Sequence, residues 1–511
     1  MGVLLENCSL GDGKVGSVYV DRGLIERISD GPSCEAPAGT LKVDGRGGSL
    51  FQGFTDSHCH PFEMGWLRRN VDLRGVANVT GIRLRLQTAI QRAAPGGWVV
   101  GRGWDHETFP GKRLPSREDI DDVSPENPVA LARVCGHISL LNSRAVRDLG
   151  LEGRQGPGYD RGPGGRLTGI VREAAQDDAF GRMPARSAQQ CLDDLTSVEL
   201  EAVRGGLTTL HCILSEDGFR EELQAFAMLA DQEDHLLRYR VYIPAQAVDY
   251  LAESPLRAKL TGGKIRVNGV KLFADGSLGA STAALREPYA DDPKNTGILR
   301  HSDEELGELV EKAHAAGHQV IVHAIGDRAV EQAIGALSRV SGGGNGRRHR
   351  VEHASLLPRD LRSKMRRHGL RATVQPCFIT SDSWAAARLG EERVNDLYPL
   401  KSMLEEGIVA SGSSDAPVET IAPVVGMWAA MTRGAFALGE RLPQRQALEL
   451  YTRNAASNGF DEESAGLEEG RGADLTLLDS CVEGMHPALF RKVGAAAVLV
   501  GGKVAYTFEG G

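Results

Sequence analysis

Residues 54–65 read FTDSHCHPFEMG and set His58 and His60 two positions apart at the end of an apolar run of strand length. Alternate residues of a strand leave it on the same side, so the two imidazoles can reach one ion. Four more polar groups stand at the ends of later strand-like runs: Lys271 in VNGVKLFAD, His323 in QVIVHAI, His353 in HRVEHAS, and Asp415 just past IVASGSS. Imidazole nitrogen and carboxylate oxygen bind zinc and similar divalent ions, and an open coordination position holds water. Binding to the metal lowers the pKa of that water to about 7, which makes hydroxide available at neutral pH. Asp415 is then the group to take the proton and hand it to a leaving nitrogen. Lys271 is the odd member, because an ammonium repels a cation. As a carbamate formed with carbon dioxide it can bridge two metals.

Such a set needs a scaffold that gathers strand ends. Eight apolar runs of strand length lie at 49–57, 206–213, 238–244, 267–275, 319–325, 349–355, 371–377 and 408–414. Helical patterns alternate with them, as in SDEELGELVEKAHAAG, which has an acidic first turn and Gly317 as a stop. The alternation predicts an α/β fold, a (β/α)8 TIM-like barrel, with its chemistry at the C-terminal ends of the strands. Both termini alternate short β-like runs with turns, and neither has apolar residues enough for its own core. Together they are expected to form a small composite β-domain. The expected borders are 1–50 and 466–511 for the two parts of that β-domain and 51–74 for the first barrel strand with its metal motif. Residues 75–195 are expected to be an insertion after the first strand that roofs the active site, and 196–455 the rest of the barrel.

The composition excludes several classes. With 511 residues, 41% hydrophobic and 25% charged, the chain is globular and long enough for a barrel plus an appendage. A net charge of −9, spread along the chain, offers no basic stripe for nucleic acid or an anionic membrane. No apolar run approaches the roughly 18 residues that cross a bilayer, and MGVLLENCSLGDG lacks the basic start and apolar core of a secretion signal. The eight cysteines form no CxxC pair and are expected to be reduced. The expected location is the cytoplasm. The expected partner is a small-molecule substrate, with no nucleic acid and no membrane, and a homodimer is compatible with the sequence.

Four further residues are candidates for substrate contact: His137 in CGHISLLNS, Trp104 in GRGWDHETF, Asp275 after the lysine strand, and Gln375 in VQPC. His211 ends the second strand and is expected to line the pocket without binding metal.

The segments GFTDSHCHPFEMG, GVKLFADGSLGASTAAL, VHAIGDRAV, RVEHASLL and GSSDAPVETIAPVVGMWAAMTR together resemble the amidohydrolase superfamily, and within it amidohydrolase family 3. The insertion is similar to that family too, through GRGWDHETFPGKRLPSREDID and GRLTGIVREAA. The family includes proteins described as N-substituted formamide deformylases and exoenzyme regulatory proteins. The resemblance implies a metal-dependent hydrolase with His58, His60, Lys271, His323, His353 and Asp415 at the metal site. Lys271 would be a carboxylysine bridging two zinc ions, and Asp415 and His353 would be catalytic. The chain departs from the family at Gln52, where proline is usual, and at Cys135, where aspartate is common, which implies a less polar pocket.

The leading expectation is hydrolysis of a non-peptide C–N bond, of amide or N-formyl type, by metal-bound hydroxide with Asp415 as proton shuttle. Two alternatives stay open. One is a mononuclear deaminase of a cyclic amidine, in which His58, His60, His323 and Asp415 hold one metal and His353 polarises the substrate. The other is a catalytically inactive regulatory or binding barrel. Lys271 favours two metals, since the mononuclear site does not need it.

Overall fold

Eight short strands form one parallel sheet whose order follows the sequence. A computed structural model describes residues 2–508 apart from 12, 13, 136, 233, 343 and 435. The strands are β1 Thr55–Cys59, β2 Thr209–Ile213, β3 Arg238–Pro244 and β4 Ile265–Phe273, then β5 Gln319–Ala324, β6 Arg350–His353, β7 Arg371–Val374 and β8 Ala410–Gly412. Just past β8 the chain returns to β1. The Asp415 N–H donates to the His58 carbonyl at 2.9 Å, and the His60 N–H donates to the Ala416 carbonyl at 2.8 Å. The sheet is thus a nearly closed (β/α)8 barrel, with helices between its strands.

The helices follow their sequence signals. Helix α1, Ala188–Arg204, buries Leu192, Leu195, Val198 and Ala202, a stripe at helical spacing. Helix α2, Asp303–Ala315, starts at a capping box in which Ser302 and Glu305 satisfy each other's backbone N–H groups. It ends before Gly317, whose φ of +94° suits a residue without Cβ. No helix among the described residues is long and apolar enough to cross a membrane.

The chain divides into two units, Met1–Phe62 with Ala188–Gly511, and Glu63–Ser187. The first unit holds the barrel and two four-stranded sheets. One sheet comes wholly from residues 3–44, and the other joins Leu50–Gln52 to Leu475–Leu478, Ala495–Val500 and Lys503–Thr507. Their shared core mixes Leu5, Val18, Val20 and Ile25 with Leu475, Leu477, Ala497 and Leu499. The run 49–57, read as one strand, is in fact two. Gly53, at φ +96°, turns the chain between Leu50–Gln52, which joins the small sheet, and β1.

The second unit is a six-stranded mixed sheet with its own core around Trp104, Ile120, Leu131 and Leu140. Its borders differ from the expected 75–195. Residues 188–195 are the first two turns of α1 and belong with the barrel.

Candidate metal centre

β1 delivers its two histidines differently. His58 is 1% exposed, whereas the His60 side chain keeps 28% of its surface. Asp56 accepts the His58 N–H at 3.1 Å and the Ser414 N–H at 3.1 Å, so one carboxylate fixes the start of the motif to the segment after β8. Burial pushes Asp56 up to about 6 despite these bonds. The Nε2 of His58 lies 3.4 Å from Lys271 Nζ and 3.4 Å from Asp415 Oδ1, and His60 Nε2 lies 3.2 Å from the same oxygen. Donor atoms of His58, His60 and Asp415 all fall within 4.8 Å of one another.

β5 and β6 close the other side. The His323 and His353 ring centres are 4.5 Å apart, and those of His353 and His58 are 5.0 Å apart. The partner of each ring decides which nitrogen stays free. His353 Nδ1 faces Gln375 Oε1 at 2.8 Å, and His323 Nε2 faces the Gly276 carbonyl at 2.9 Å. His58 Nδ1 faces Glu352 Oε2 at 2.5 Å. All three partners are acceptors, so those nitrogens carry the protons. The lone pairs left over are Nε2 of His58, Nε2 of His353 and Nδ1 of His323.

Two of the groups sit on left-handed backbone: His353 at φ +67°, followed by Ala354 at +45°, and Asp415 at +55°. Such conformations cost energy in residues with a Cβ and concentrate at functional sites. At His353 the consequence is geometric. Neighbouring residues of a regular strand face opposite ways, yet Glu352 and His353 both reach the His58 ring.

The electrostatics suit a cation. Burial, then the nearby Lys271 charge, holds His58 down to about 4, so its ring is neutral. Burial and the His323 ring hold His353 well below its usual range as well. Burial alone would raise Asp415, but the His60 bond and the neighbouring imidazoles outweigh it and hold the carboxyl well below the usual range. Burial brings the Lys271 amine from 10.5 down to about 8. Neutral imidazoles, an ionised carboxylate and an amine able to lose its proton are a donor set that fits a divalent ion.

All six residues drawn from the strand ends are thus found at one end of the barrel. The substrate candidates fare differently. Asp275, 2% exposed, accepts the N–H groups of Ala284, Ile325 and Gly326 at 2.9, 3.1 and 2.9 Å, which ties the loop after β4 to the loop after β5. Gln375, 1% exposed, has its oxygen against His353 and its amide N–H donating to Ser413 Oγ at 2.9 Å. Trp104 is fully buried in the second unit and donates to the Leu131 carbonyl at 2.7 Å. Internal partners therefore occupy the polar groups of all three. His137 is exposed, with Nδ1 3.2 Å from Glu173 Oε2. His211, instead of lining a pocket, is fully buried, with Arg350 Nη1 3.2 Å from its Nδ1.

Glu352 was not among the expected site residues. Its carboxylate, fully buried, touches His58 on one side and Arg350 Nε at 3.0 Å on the other. Burial would raise its pKa, but the Arg350 charge and the His58 bond hold it well below the usual range. A cavity of about 310 Å³ borders Lys271 and Phe273 and is walled by Glu216, Gln246 and Leu309. That volume lies at the small end of ligand pockets.

Comparison with known proteins agrees with this geometry. The amidohydrolase family matches residues 42–506. The chain is 30% identical to amidohydrolase YtcJ of Bacillus subtilis (strain 168), over 96% of each protein. It is 25% identical to the N-substituted formamide deformylase of Arthrobacter pascens, over 86% of this chain and 84% of that one. The crystal structure of an uncharacterised metal-dependent hydrolase from Pyrococcus furiosus superposes with a TM-score of 0.81 at 30% identity, covering 94% of this chain and 99% of that one.

Proposed function

This chain belongs to the amidohydrolase family, and on that premise we propose that it is a metal-dependent hydrolase that cleaves a non-peptide C–N bond, of amide or N-formyl type. The observation that carries the proposal is the meeting of His58, His60 and Asp415 donor atoms within 4.8 Å, with Lys271 Nζ 3.4 Å from His58. The formamide deformylase among the relatives supports the choice of bond.

His58, His60, Lys271, His323, His353 and Asp415 would hold the metal, with zinc the ion best suited to this nitrogen-rich set. When bound, the ion polarises the substrate carbonyl and makes water acidic enough to lose a proton near neutral pH. Asp415 is ionised at neutral pH and takes that proton at a carboxylate oxygen, then delivers it to the leaving nitrogen. Gln375 and the Gly276 carbonyl hold the His353 and His323 rings in the tautomers that present lone pairs. Lys271 would combine with carbon dioxide through its neutral amine, releasing a proton, and the resulting carboxylate would supply the metal with oxygen ligands that an ammonium cannot. The second unit, the insertion, is proposed to help select the substrate.

Metal analysis of protein purified without chelator, paired with a screen of N-formyl, N-acyl and cyclic amide compounds, tests the proposal. Close to two zinc per chain and turnover of an N-formyl or N-acyl compound is the expected result. One metal per chain with release of ammonia from a ring amidine would replace it by a deaminase, and metal-free protein without turnover would leave a binding barrel.

A further inference from the structure

Below the imidazoles, the barrel interior holds a column of charge where TIM barrels usually stack branched apolar side chains. Arg350 and Glu352 lie two apart on β6 and so face the same way, into the barrel. Arg350, Glu352 and His211 are fully buried, and His58 is 1% exposed. The column runs from His58 Nδ1 to Glu352 at 2.5 Å, from Glu352 to Arg350 Nε at 3.0 Å, and from Arg350 Nη1 to His211 Nδ1 at 3.2 Å. The Arg350 guanidinium also lies over the Tyr242 ring, 4.9 Å from its centre.

A buried ion pair is a poor device for stability, since desolvating two charges consumes most of what their attraction returns. Its position suggests another role. We propose that Glu352 is a positioning residue for His58, and that Arg350, 3.0 Å from the Glu352 carboxylate, holds that carboxylate in place. The carboxylate holds the proton on Nδ1, fixes the plane of the ring, and leaves the Nε2 lone pair facing Lys271 and Asp415. Without the carboxylate the ring can take the other tautomer, which puts a proton where the ion would sit. The contact of Arg350 with the site runs through Glu352, while its charge also acts on Lys271 from a distance. This inference rests on the metal-centre assignment above, and extends it to two residues that bind no ion.

The test is cobalt(II) binding to the purified full chain, measured by competition with a chromophoric chelator and by the visible absorption of the bound ion. Glu352→Met keeps the side-chain volume and removes both the charge and the acceptor. Loss of such a hydrogen-bond partner typically weakens metal binding by about 10- to 100-fold, and a change in the cobalt absorption should accompany it. Glu352→Met leaves Arg350 buried without its partner and can fail to fold for that reason. The double variant Arg350→Met/Glu352→Met removes both charges together and should fold. It should bind cobalt no more weakly than Glu352→Met alone, because removing a buried positive charge does not disfavour a cation. As a control, Arg240→Met/Asp461→Asn removes another buried pair, 2.7 Å apart, which touches none of the six. It should lower stability and leave cobalt affinity unchanged. A folded double variant with wild-type affinity and absorption would overturn the proposal, and so would an equal loss of affinity in the control. Wild-type protein that takes up no cobalt would instead remove the metal-centre assignment itself.

Discussion

At a lysine as deeply buried as Lys271, water no longer favours the ammonium, and the amine becomes a nucleophile near neutral pH. A pKa of about 8 in place of 10.5 raises the neutral fraction at pH 7 by about 300-fold. The neutral form gains as pH rises, so reloading of metal-stripped protein at a fixed concentration of dissolved carbon dioxide should speed up about tenfold per unit below pH 8 and level off above it. A rate that is flat from pH 6 to 8 would show that the Lys271 amine does not limit reloading. Lys271→Ala should lose at least one metal and nearly all turnover, and millimolar formate or acetate supplied with metal should restore part of both. Asp415→Asn has a different signature. An amide fills the same space but accepts no proton, so turnover should fall by about 100- to 10,000-fold, while thermal stability and most of the metal remain. More than a few percent of wild-type turnover would remove Asp415 from the shuttle role. The six candidate site residues stood out in the sequence because each lies at or near the end of a strand, where a polar group is unexpected. Glu352 did not, since strand alternation assigns it to the face opposite His353, and only the left-handed turn at His353 lets both meet His58.

Strands and helices were legible to the extent that their signals were local. Seven of the eight expected runs hold a barrel strand within their limits or shifted by two residues, because buried parallel strands are near-continuous apolar segments. The first run misled because one apolar stretch serves two sheets, and apolarity does not say which sheet a residue joins. Loops were the least legible. GSLGASTAAL looks like a glycine-rich substrate loop, but its shape depends on Asp275, which binds backbone groups 9, 50 and 51 positions away. Asp275→Ala leaves those buried N–H groups without their acceptor and should destabilise the fold by about 2–4 kcal/mol. Equilibrium urea unfolding would measure it. A change below about 0.5 kcal/mol, the ordinary range of surface substitutions, would mean that water replaces the carboxylate there.

The molecule as a whole depends on its two ends meeting. Leu475 is fully buried in the core that residues 3–25 share with residues 473–499. Leu475→Ala should therefore cost about 2–5 kcal/mol and lower the unfolding temperature, although the residue lies in the β-domain and not among the site residues. Unfolding with wild-type stability would mean that this core repacks around the gap. The composite β-domain was foreseeable from composition alone, since neither end could bury its own apolar residues. The borders of the second unit were not, because α1 continues the polar and apolar rhythm of the segment before it. The joint between the ends is also tight at its closest point: Thr476 Oγ1 donates to the Gly53 carbonyl at 2.6 Å, across 423 positions of sequence. On the ribosome, the segment that leads into His58 and His60 waits through 423 further positions for that partner, and a nascent chain stalled before Leu475 should take up no ion.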